Sequence, residues 1–215
     1  NANSPYILRA GIPSYSPGVG PGHAKYVDQD GNGVIDQEDR VVIGNPYPKH
    51  FGGFNNNFKF KNFDLGVLLR WSYDFDVFNA NNALWGHPSH NSSFSRLANV
   101  ANAWTPWNTD TDVITHYSNG IATFPRPGYK GDTRYIEDGS YLRLQTVTLG
   151  YNFKLKSTSA FKGLRLVLSG QNLYTWTNYS GFDPEVNVGG TLMPSLDYSA
   201  YPKSRTYSLQ FSAKF

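Results

Sequence analysis

Polar and apolar residues alternate with a period of two in five stretches of this chain. The clearest stretch is at residues 205–215, where the odd positions from Tyr207 to Phe215 are apolar and the even positions from Ser208 to Lys214 are polar. Successive residues of a β-strand point to opposite faces of a sheet, so this pattern predicts a strand with one apolar face and one polar face. The other four predicted strands lie at about residues 50–60, 63–74, 140–153 and 163–174.

The lengths of these strands and of their connections favour a membrane barrel. A transmembrane β-strand has about 9–11 residues, whereas strands of soluble proteins usually have about 5–6. The connections alternate between short ones, at residues 61–62 and 154–163, and long ones, at residues 75–139 and 175–204. Outer-membrane barrels have short periplasmic turns and longer extracellular loops. The sequence therefore predicts an all-β fold, part of a transmembrane antiparallel β-barrel, in which residues 50–215 carry the strands.

This topology also assigns the remaining segments. The two long loops and residues 1–49 fall on the extracellular side if the chain ends on the periplasmic side. Five strands cannot close a barrel, because at least eight are needed. Unpaired backbone groups are too costly in lipid for an open edge to remain there. We therefore expect the chain to be a fragment of a larger barrel.

The amino-acid composition argues against several other classes of protein. The 215 residues include no Cys, which excludes a disulfide framework, and only 16% are charged, against about 25% in an ordinary soluble domain. The net charge of +3 is small for this length, whereas a nucleic-acid binder would show a basic face, so we expect no nucleic-acid partner. A high aromatic content of 16% suits strands that end at membrane interfaces. A soluble β-sandwich can share this profile.

Residues 28–39 match the twelve-residue calcium loop of EF-hand proteins. Gly33 occupies the sixth position, where the loop turns sharply, and Asp39 replaces the usual glutamate at the twelfth position. No amphipathic helix flanks the loop, so we expect a structural calcium ion that makes an outer loop rigid, and no sensor function. The alternative is an Asp/Asn/Gly turn without metal. The predicted ligands are Asp28, Asp30, Asn32, the carbonyl of Val34, Asp36 and Asp39.

No constellation of catalytic residues stands out, so we expect that the chain is not an enzyme. The long loop at residues 75–139 is rich in aromatic residues, which can stack on sugars or grip a peptide. The same side chains can instead pack the loop or contact a partner protein. His87 and His90 lack the additional ligands of a metal site and are interpreted as loop residues. The candidate substrate-binding residues are Trp85, Trp104 and Trp107.

Several segments resemble the SusC/RagA (starch-utilisation-type) family of TonB-dependent transporters. They begin with DQDGNGVIDQEDRVVIGNP at residues 28–46 and end with YPKSRTYSLQFSAKF at residues 201–215. Between them lie FDL at 63–65, RYIEDGSYLRL at 134–144, VTLGY at 147–151 and QNLYTWTNYSGFDPE at 171–185. The six motifs follow the order of the family.

The resemblance implies a 22-stranded barrel in the outer membrane of a Gram-negative cell, of which this chain forms the last five strands. It implies a plug domain, a SusD-like surface lipoprotein as a lid, and energy from the TonB complex. The implied cargo is a glycan or a peptide, and the implied surroundings of the strands are outer-membrane lipid.

A second class of protein remains open at this point. A secreted, calcium-stabilised β-sandwich that binds carbohydrate shares the strands, the calcium loop and the aromatic residues. The apolar face of residues 63–73 separates the two interpretations. In a sandwich this face packs against another sheet, whereas in a barrel it contacts lipid.

Overall fold

The computed structural model describes residues 21–24, 26–33, 35, 37–88, 95–116, 132–156 and 160–215. Their contacts define two compact units, which we describe separately. The first unit is formed by the described parts of Asn1–Gly44, Phe78–Ile136 and Asp197–Ser199. The second is formed by the described parts of Asn45–Val77, Glu137–Leu196 and Ala200–Phe215.

Eight strands account for most of the regular structure in the described residues. The strands are β1 His50–Phe60, β2 Phe63–Tyr73, β3 Asp76–Asn79, β4 Ile136–Asp138, β5 Tyr141–Asn152, β6 Gly163–Thr177, β7 Leu196–Asp197 and β8 Thr206–Lys214. Five of them form an antiparallel sheet in the order β1-β2-β5-β6-β8, and three short ones form a sheet in the order β4-β3-β7. The five long strands lie in the five stretches where the sequence alternates, and the antiparallel sheet that the alternation predicts is confirmed.

The helices are short. Helix α1 spans Ala80–Trp85, and its first turn is capped by the Asn79 side chain, which accepts a hydrogen bond from the Asn82 backbone N–H at 2.9 Å. Two 3₁₀ helices lie at Ala98–Asn102 and Thr133–Tyr135. No helix in the described part of the chain has the length and apolar composition that a membrane-crossing helix needs.

The register of the five-stranded sheet brings most of the alternating apolar residues onto one face, while a few, such as Phe51, Leu68 and Tyr141, lie on the other face. One row runs across the sheet from Phe58 through Leu65, Leu149 and Leu168 to Leu209. A register shift of one residue would move a whole strand's apolar set to the other face. The pairing therefore turns five separate alternations into one continuous apolar face.

All six charged residues of the five long strands lie on the opposite face, which we call the polar face. These are Lys59, Asp64, Arg70, Arg143, Arg165 and Lys214. Such a complete separation fits a sheet with one face in an apolar medium and one face in water.

The apolar face is open and has an aromatic row near each end. Leu168 is 51% exposed and Leu209 is 70% exposed. The rings of Phe63 and Tyr151 meet at 4.6 Å at one end of the strands, and those of Tyr174 and Trp176 meet at 4.8 Å near the other end. A sandwich buries this kind of face against a second sheet. The exposed face and the two aromatic rows are what the prediction of a membrane barrel expects.

A β-bulge in β5 reverses the alternation within that strand. Gln145 is an extra residue opposite the step from Leu68 to Leu69 of β2. The apolar face therefore receives odd-numbered residues such as Val147 below the bulge and even-numbered residues such as Leu144 above it. Bulges often re-aim side chains in this way. Without the extra residue, Arg143 would lie on the apolar face.

Strand β6 is longer than the alternation alone predicts. We expected it to end near residue 174, and it ends at Thr177. Its pairing with β5 is irregular at Asn172, which has a positive φ of 53°, and becomes regular again at Tyr174. The irregular segment obscures the period-two pattern at that point.

The assignment of residues 1–49, 75–139 and 175–204 to the extracellular side stays a prediction.

Candidate functional site

A network of charged side chains lies in the second unit, at the end of the sheet where β1 and β5 begin and β2 and β6 end. We call it the charge network, and it consists of Arg70, Arg143, Asp183, Glu185 and Lys203. Two members lie on strands of the polar face, and the other three lie in the segment between β6 and β8. The network thus ties this connecting segment to the sheet.

Arg143 is the centre of the charge network. Its side chain is 2% exposed, and it contacts Asp183 at 2.5 Å and Glu185 at 2.9 Å. Its Nε also donates to the Thr175 hydroxyl at 2.9 Å. A buried charge needs such a set of partners, because leaving one charge of a buried pair alone costs about 3–5 kcal/mol.

Glu185 connects the buried pair to the outer part of the network. Its carboxylate also accepts from Arg70 Nη2 at 3.2 Å and from Lys203 Nζ at 2.5 Å. Asp183 helps to place it by accepting a hydrogen bond from the Glu185 backbone N–H at 2.9 Å. Three cations and two carboxylates leave the network with one net positive charge.

A cavity of about 550 Å³ borders the charge network within the second unit. Its walls come from β1, β2 and the start of β5, from residues 184–187 and Ser195, and from Pro46, Pro48 and Phe75. The charged residues among those that line it are Arg70 and Glu185. Apolar walls are provided by Phe51, Leu68 and Tyr141, among others. This volume lies within the range of about 300–1,000 Å³ that is usual for small-molecule sites.

A second ion pair lies on the polar face, nearer the other end of the strands. Arg165 Nη1 and Nη2 each donate to one oxygen of Asp64 at 2.7 Å, and Asn152 Oδ1 also accepts from Nη1 at 3.1 Å. The pair joins β2 to β6 across Gly150 of β5. A Cβ at Gly150 would lie 2.5 Å from both the Arg165 and the Asp64 side chains, so the ion pair needs a glycine there.

The predicted calcium loop belongs to the first unit, and the structure brings three of its carboxylates together. Ligand oxygens of Asp28, Asp30 and Asp39 lie within 4.8 Å of one another. The loop turns at Gly33, which has a positive φ of 84° that favours glycine. Val34 and Asp36, the predicted ligands at the seventh and ninth positions, lie outside the described residues.

Backbone hydrogen bonds hold the first carboxylate of this loop. Asp28 accepts from the Gly33 N–H at 2.9 Å and from the Gly31 N–H at 2.7 Å. These bonds, that from Gly33 above all, lower the pKa of Asp28 from its ordinary value of 3.8. Asn32 donates through its side chain to Asp30 Oδ2 at 2.8 Å. An ionised group of hard oxygen donors is the chemistry that Ca²⁺ requires, so the residues present fit the ion.

The three candidate tryptophans differ in their surroundings. Trp107 is 92% exposed, at a turn closed by two 3.0 Å backbone hydrogen bonds between Thr105 and Asn108. Trp104 is partly buried, and a Cβ at Gly22 would lie only 2.5 Å from its ring. Trp85 is partly buried at the end of α1. Exposure therefore separates Trp107 from the two tryptophans that pack within the first unit.

Of the two histidines interpreted as loop residues, the structure describes His87 alone. His87 is 2% exposed, and its carbonyl accepts from Arg96 Nη1 at 2.7 Å. His90 lies outside the described residues. Among the described residues, the group of acidic or histidine side chains arranged to hold a metal is the one in the predicted calcium loop.

Sequence reasoning did not identify the charge network or the cavity. Arg143, Asp183 and Glu185 are all within segments that carry the family resemblance, but nothing in their spacing shows that they meet. One feature of the sequence could have pointed to the charge network. Charged residues are scarce in this chain, and Asp183 and Glu185 flank a proline in the loop that follows an aromatic strand.

Known proteins that are similar to this chain show its family. No family model matches the chain. The TonB-dependent receptor P3 of Formosa agariphila is 36% identical over 206 residues, which cover 91% of this chain and 19% of that receptor. The TonB-dependent receptor SusC of Bacteroides thetaiotaomicron is 30% identical over 222 residues, which cover 100% of this chain and 19% of SusC. The chain thus spans about one fifth of the length of these relatives.

Solved structures give the same fold. The RagAB peptide transporter matches 95% of this chain and 21% of the matched chain, with a TM-score of 0.66 and 24% identity. The RagAB peptide importer in its open-open state matches 78% of this chain, with a TM-score of 0.64. Receptors of this kind are outer-membrane transport proteins without enzymatic activity, which agrees with the prediction that the chain is not an enzyme. The chain is a segment of a TonB-dependent receptor of the SusC/RagA type.

Proposed function

We propose that this segment forms the last five strands and the adjoining outer loops of a 22-stranded barrel that imports oligopeptides or oligosaccharides through the outer membrane of a Gram-negative cell. The observation that carries the proposal is the five-stranded sheet, which separates an exposed apolar face from a face that holds every strand charge. The match of 95% of the chain to a peptide transporter supports a role in import.

The two cargo classes are supported by different relatives. The matched structures are of a peptide transporter, whereas the family that the sequence motifs resemble is of the starch-utilisation type. Exposed aromatic residues suit both, because they stack on sugar rings and on peptide side chains. Among Trp85, Trp104 and Trp107, we propose that Trp107 contacts cargo, because its side chain is 92% exposed on a hydrogen-bonded turn.

We also propose two partners. A SusD-like surface lipoprotein would cover the outer loops as a lid, and the TonB complex would supply energy through a part of the receptor outside this segment. The match to RagAB supports the first partner and the relationship to TonB-dependent receptors supports the second.

Import is tested in cells that lack the full-length receptor. Uptake of labelled oligopeptides and of labelled oligosaccharides is measured in the wild type, in the deletion strain and in the complemented strain. The proposal expects that deletion abolishes uptake of one cargo class, that complementation restores it, and that loss of TonB abolishes it again. Equal uptake of both classes in all strains would contradict the proposal.

We further propose that Ca²⁺ makes the loop at residues 28–39 rigid. Asp28, Asp30, Asn32, Val34, Asp36 and Asp39 would supply the oxygen ligands. The support is that three of these carboxylates converge within 4.8 Å. Calcium would add cross-links to those that the loop already has, such as the 2.6 Å hydrogen bond from the Gln29 N–H to Asp39, without taking part in any reaction.

Limited proteolysis of the full-length receptor tests this ion. Chelation is expected to speed cleavage within residues 28–39, and added Ca²⁺ is expected to restore protection. Asp28→Ala should abolish the effect of calcium, whereas Gln37→Ala, in the same loop but not a predicted ligand, should keep it. Cleavage of the wild type that is equally fast with calcium and with chelator would contradict the proposal.

A further inference from the structure

The cavity beside the charge network contains an arginine whose hydrogen-bonding capacity is only partly used. The side chain of Arg70 is 45% exposed, and it contacts Glu185 through Nη2 alone, at 3.2 Å. Within the described residues, no hydrogen bond is formed by its Nε or Nη1. A guanidinium has five N–H donors in a planar fork, so Arg70 keeps donors for a further acceptor.

The carboxylate next to Arg70 does not balance its charge. Glu185 also contacts Arg143 at 2.9 Å and Lys203 at 2.5 Å, while Asp183 contacts Arg143 at 2.5 Å. Since two carboxylates are shared among three cations, one positive charge is left over. Arg70 is the cation of the network that lines this cavity, whereas Arg143 and Lys203 line a smaller cavity of about 220 Å³. The surplus charge belongs to the whole network, and Arg70 presents part of it to this cavity.

The backbone of the arginine is fixed and its side chain is partly held before any ligand arrives. Arg70 lies on β2, whose neighbours β1 and β5 are paired with it along its whole length. Glu185 is fixed through the buried Arg143 and by its own backbone bond to Asp183. A cation that is fixed in advance loses little side-chain entropy when it binds, which favours affinity.

The other residues that line the cavity define which chemical groups could bind there beside an anion held by Arg70. Phe51, Leu68 and Tyr141 provide apolar surface, and Ser72, Asn187 and Ser195 provide polar groups at the edge. The cavity therefore suits a group with a carboxylate at one point and apolar surface beside it. A guanidinium binds a carboxylate through two parallel hydrogen bonds, which gives such a site directional specificity.

We propose that this cavity binds a free carboxylate of the imported substrate through Arg70. The inference rests on the proposed import function and narrows its substrate to molecules that carry a carboxylate. The same chemistry is offered by the C-terminus of a peptide and by an acidic sugar of a glycan. The position of the cavity at the end of the sheet where the long connections join gives it access from the side on which we place the outer loops.

The test uses the purified full-length receptor and two pairs of probes. The first pair is a mixture of short peptides from a casein digest and the same mixture after amidation of its carboxylates. The second pair is oligogalacturonate and its methyl ester. Apparent affinities are measured by titration calorimetry for the wild type, Arg70→Gln, Arg70→Lys and the control Lys59→Gln, which removes another exposed cation from the polar face.

For one probe pair, blocking the carboxylate is expected to weaken binding to the wild type about tenfold or more, since a hydrogen bond to a charged group is lost. Arg70→Gln should bind the free form as weakly as the blocked form, Arg70→Lys should recover part of the difference, and Lys59→Gln should keep it. The pair that shows this dependence identifies the source of the carboxylate.

Two results would overturn the inference while leaving import intact. One is equal affinity of the wild type for the free and blocked forms of each probe that binds. The other is an equal loss of affinity for both forms in Arg70→Gln. A wild-type receptor that binds none of the four probes would contradict both this inference and the proposed import of peptides or glycans.

Discussion

The two faces of the five-stranded sheet are stabilised in opposite ways. On the apolar face, Leu209 is 70% exposed and Phe211 is 63% exposed, and no charged residue of the five strands lies there. On the polar face, Arg143 is 2% exposed and is surrounded by carboxylates. The apolar face is therefore stable only in contact with an apolar medium, whereas the polar face is stable only when its buried charges have partners of opposite sign.

This difference predicts which substitutions each face tolerates. A charge added to the apolar face meets no partner and must leave water, which is costly in lipid. A charge removed from the polar face leaves its former partners unpaired, and the cost grows with their burial. The predictions below test this contrast, from the largest expected effect to the smallest.

The largest effect is expected at the centre of the charge network. Arg143→Met keeps the length of the side chain but leaves Asp183, which is 7% exposed, without its 2.5 Å partner. We expect the free energy of unfolding of the full-length receptor to fall by about 3–5 kcal/mol. Denaturant titration in detergent measures it. Adding Asp183→Asn should recover part of the loss, and an unchanged stability of Arg143→Met would show that the network is not coupled to folding.

The next largest effect is expected for a charge placed on the apolar face, and we compare it with the same charge at the adjacent residue of β8, which lies on the polar face. Leu209→Arg places a charge on the apolar face, and we expect it to cost about 2–4 kcal/mol if that face meets the middle of the membrane. Gln210→Arg places the same charge on the polar face and is expected to change stability by no more than about 0.5 kcal/mol. Assembly into vesicles followed by denaturant titration compares them. Equal costs for the two variants would contradict the assignment of the faces.

A smaller effect is expected where the polar face carries its more exposed ion pair. Gly150→Ala forces a Cβ to within 2.5 Å of Asp64 and Arg165, so the 2.7 Å contacts between them must open. Because the pair is partly exposed, we expect a loss of about 1 kcal/mol. The matched control is Gly53→Ala, where the nearest neighbour of the Cβ would be the Leu69 carbonyl at 3.5 Å.

A double-mutant cycle separates the ion pair from the backbone effect of Gly150→Ala. In an Arg165→Ala background the added methyl group no longer meets the guanidinium. We therefore expect Gly150→Ala to cost less there than in the wild type. The same cost in both backgrounds would show that the methyl group acts on something other than the ion pair.

The smallest effect is local and concerns the loop at residues 28–39, outside both faces. The pKa of Asp28 is lowered in the folded state, so the order that its ionised form gives the loop is present above its ordinary value of 3.8 and is lost as the pH falls through the lowered value. We expect cleavage of this loop by pepsin to accelerate below about pH 4 in the wild type. Asp28→Asn should remove most of this dependence, and an unchanged pH profile in that variant would contradict the assignment.

The regular part of the fold could be predicted because the information is local. Alternation at residues 205–215 and 63–74 identifies strands and also states which face is apolar. The convergence of Asp28, Asp30 and Asp39 is likewise contained in one twelve-residue pattern. That convergence is a geometric observation, and the binding of calcium stays a proposal.

The irregular features could not be predicted because they depend on distant segments. The bulge at Gln145 is stabilised by a hydrogen bond from its side chain to Asn172 at 2.8 Å, 27 residues away. The partners of Arg143 come from a loop 40 and 42 residues further along the chain. The cavity depends on both, since the bulge places Tyr141 on the polar face, where it lines the cavity, and the loop provides a wall. Period-two reasoning within one strand contains none of these contacts.

The most direct test of the account measures which medium each face meets. The segment has no cysteine, so single cysteines can be placed at positions 207–212 of β8 in the full-length receptor, with any other cysteines replaced. Each variant, in lipid vesicles, is treated with a water-soluble maleimide, and fluorophore-labelled samples are tested for quenching by brominated lipid. We predict that lipid quenches labels at 207, 209 and 211, and that the maleimide reaches 208, 210 and 212. Aqueous labelling that is equal at odd and even positions, with no quenching by lipid, would contradict a membrane-embedded barrel wall.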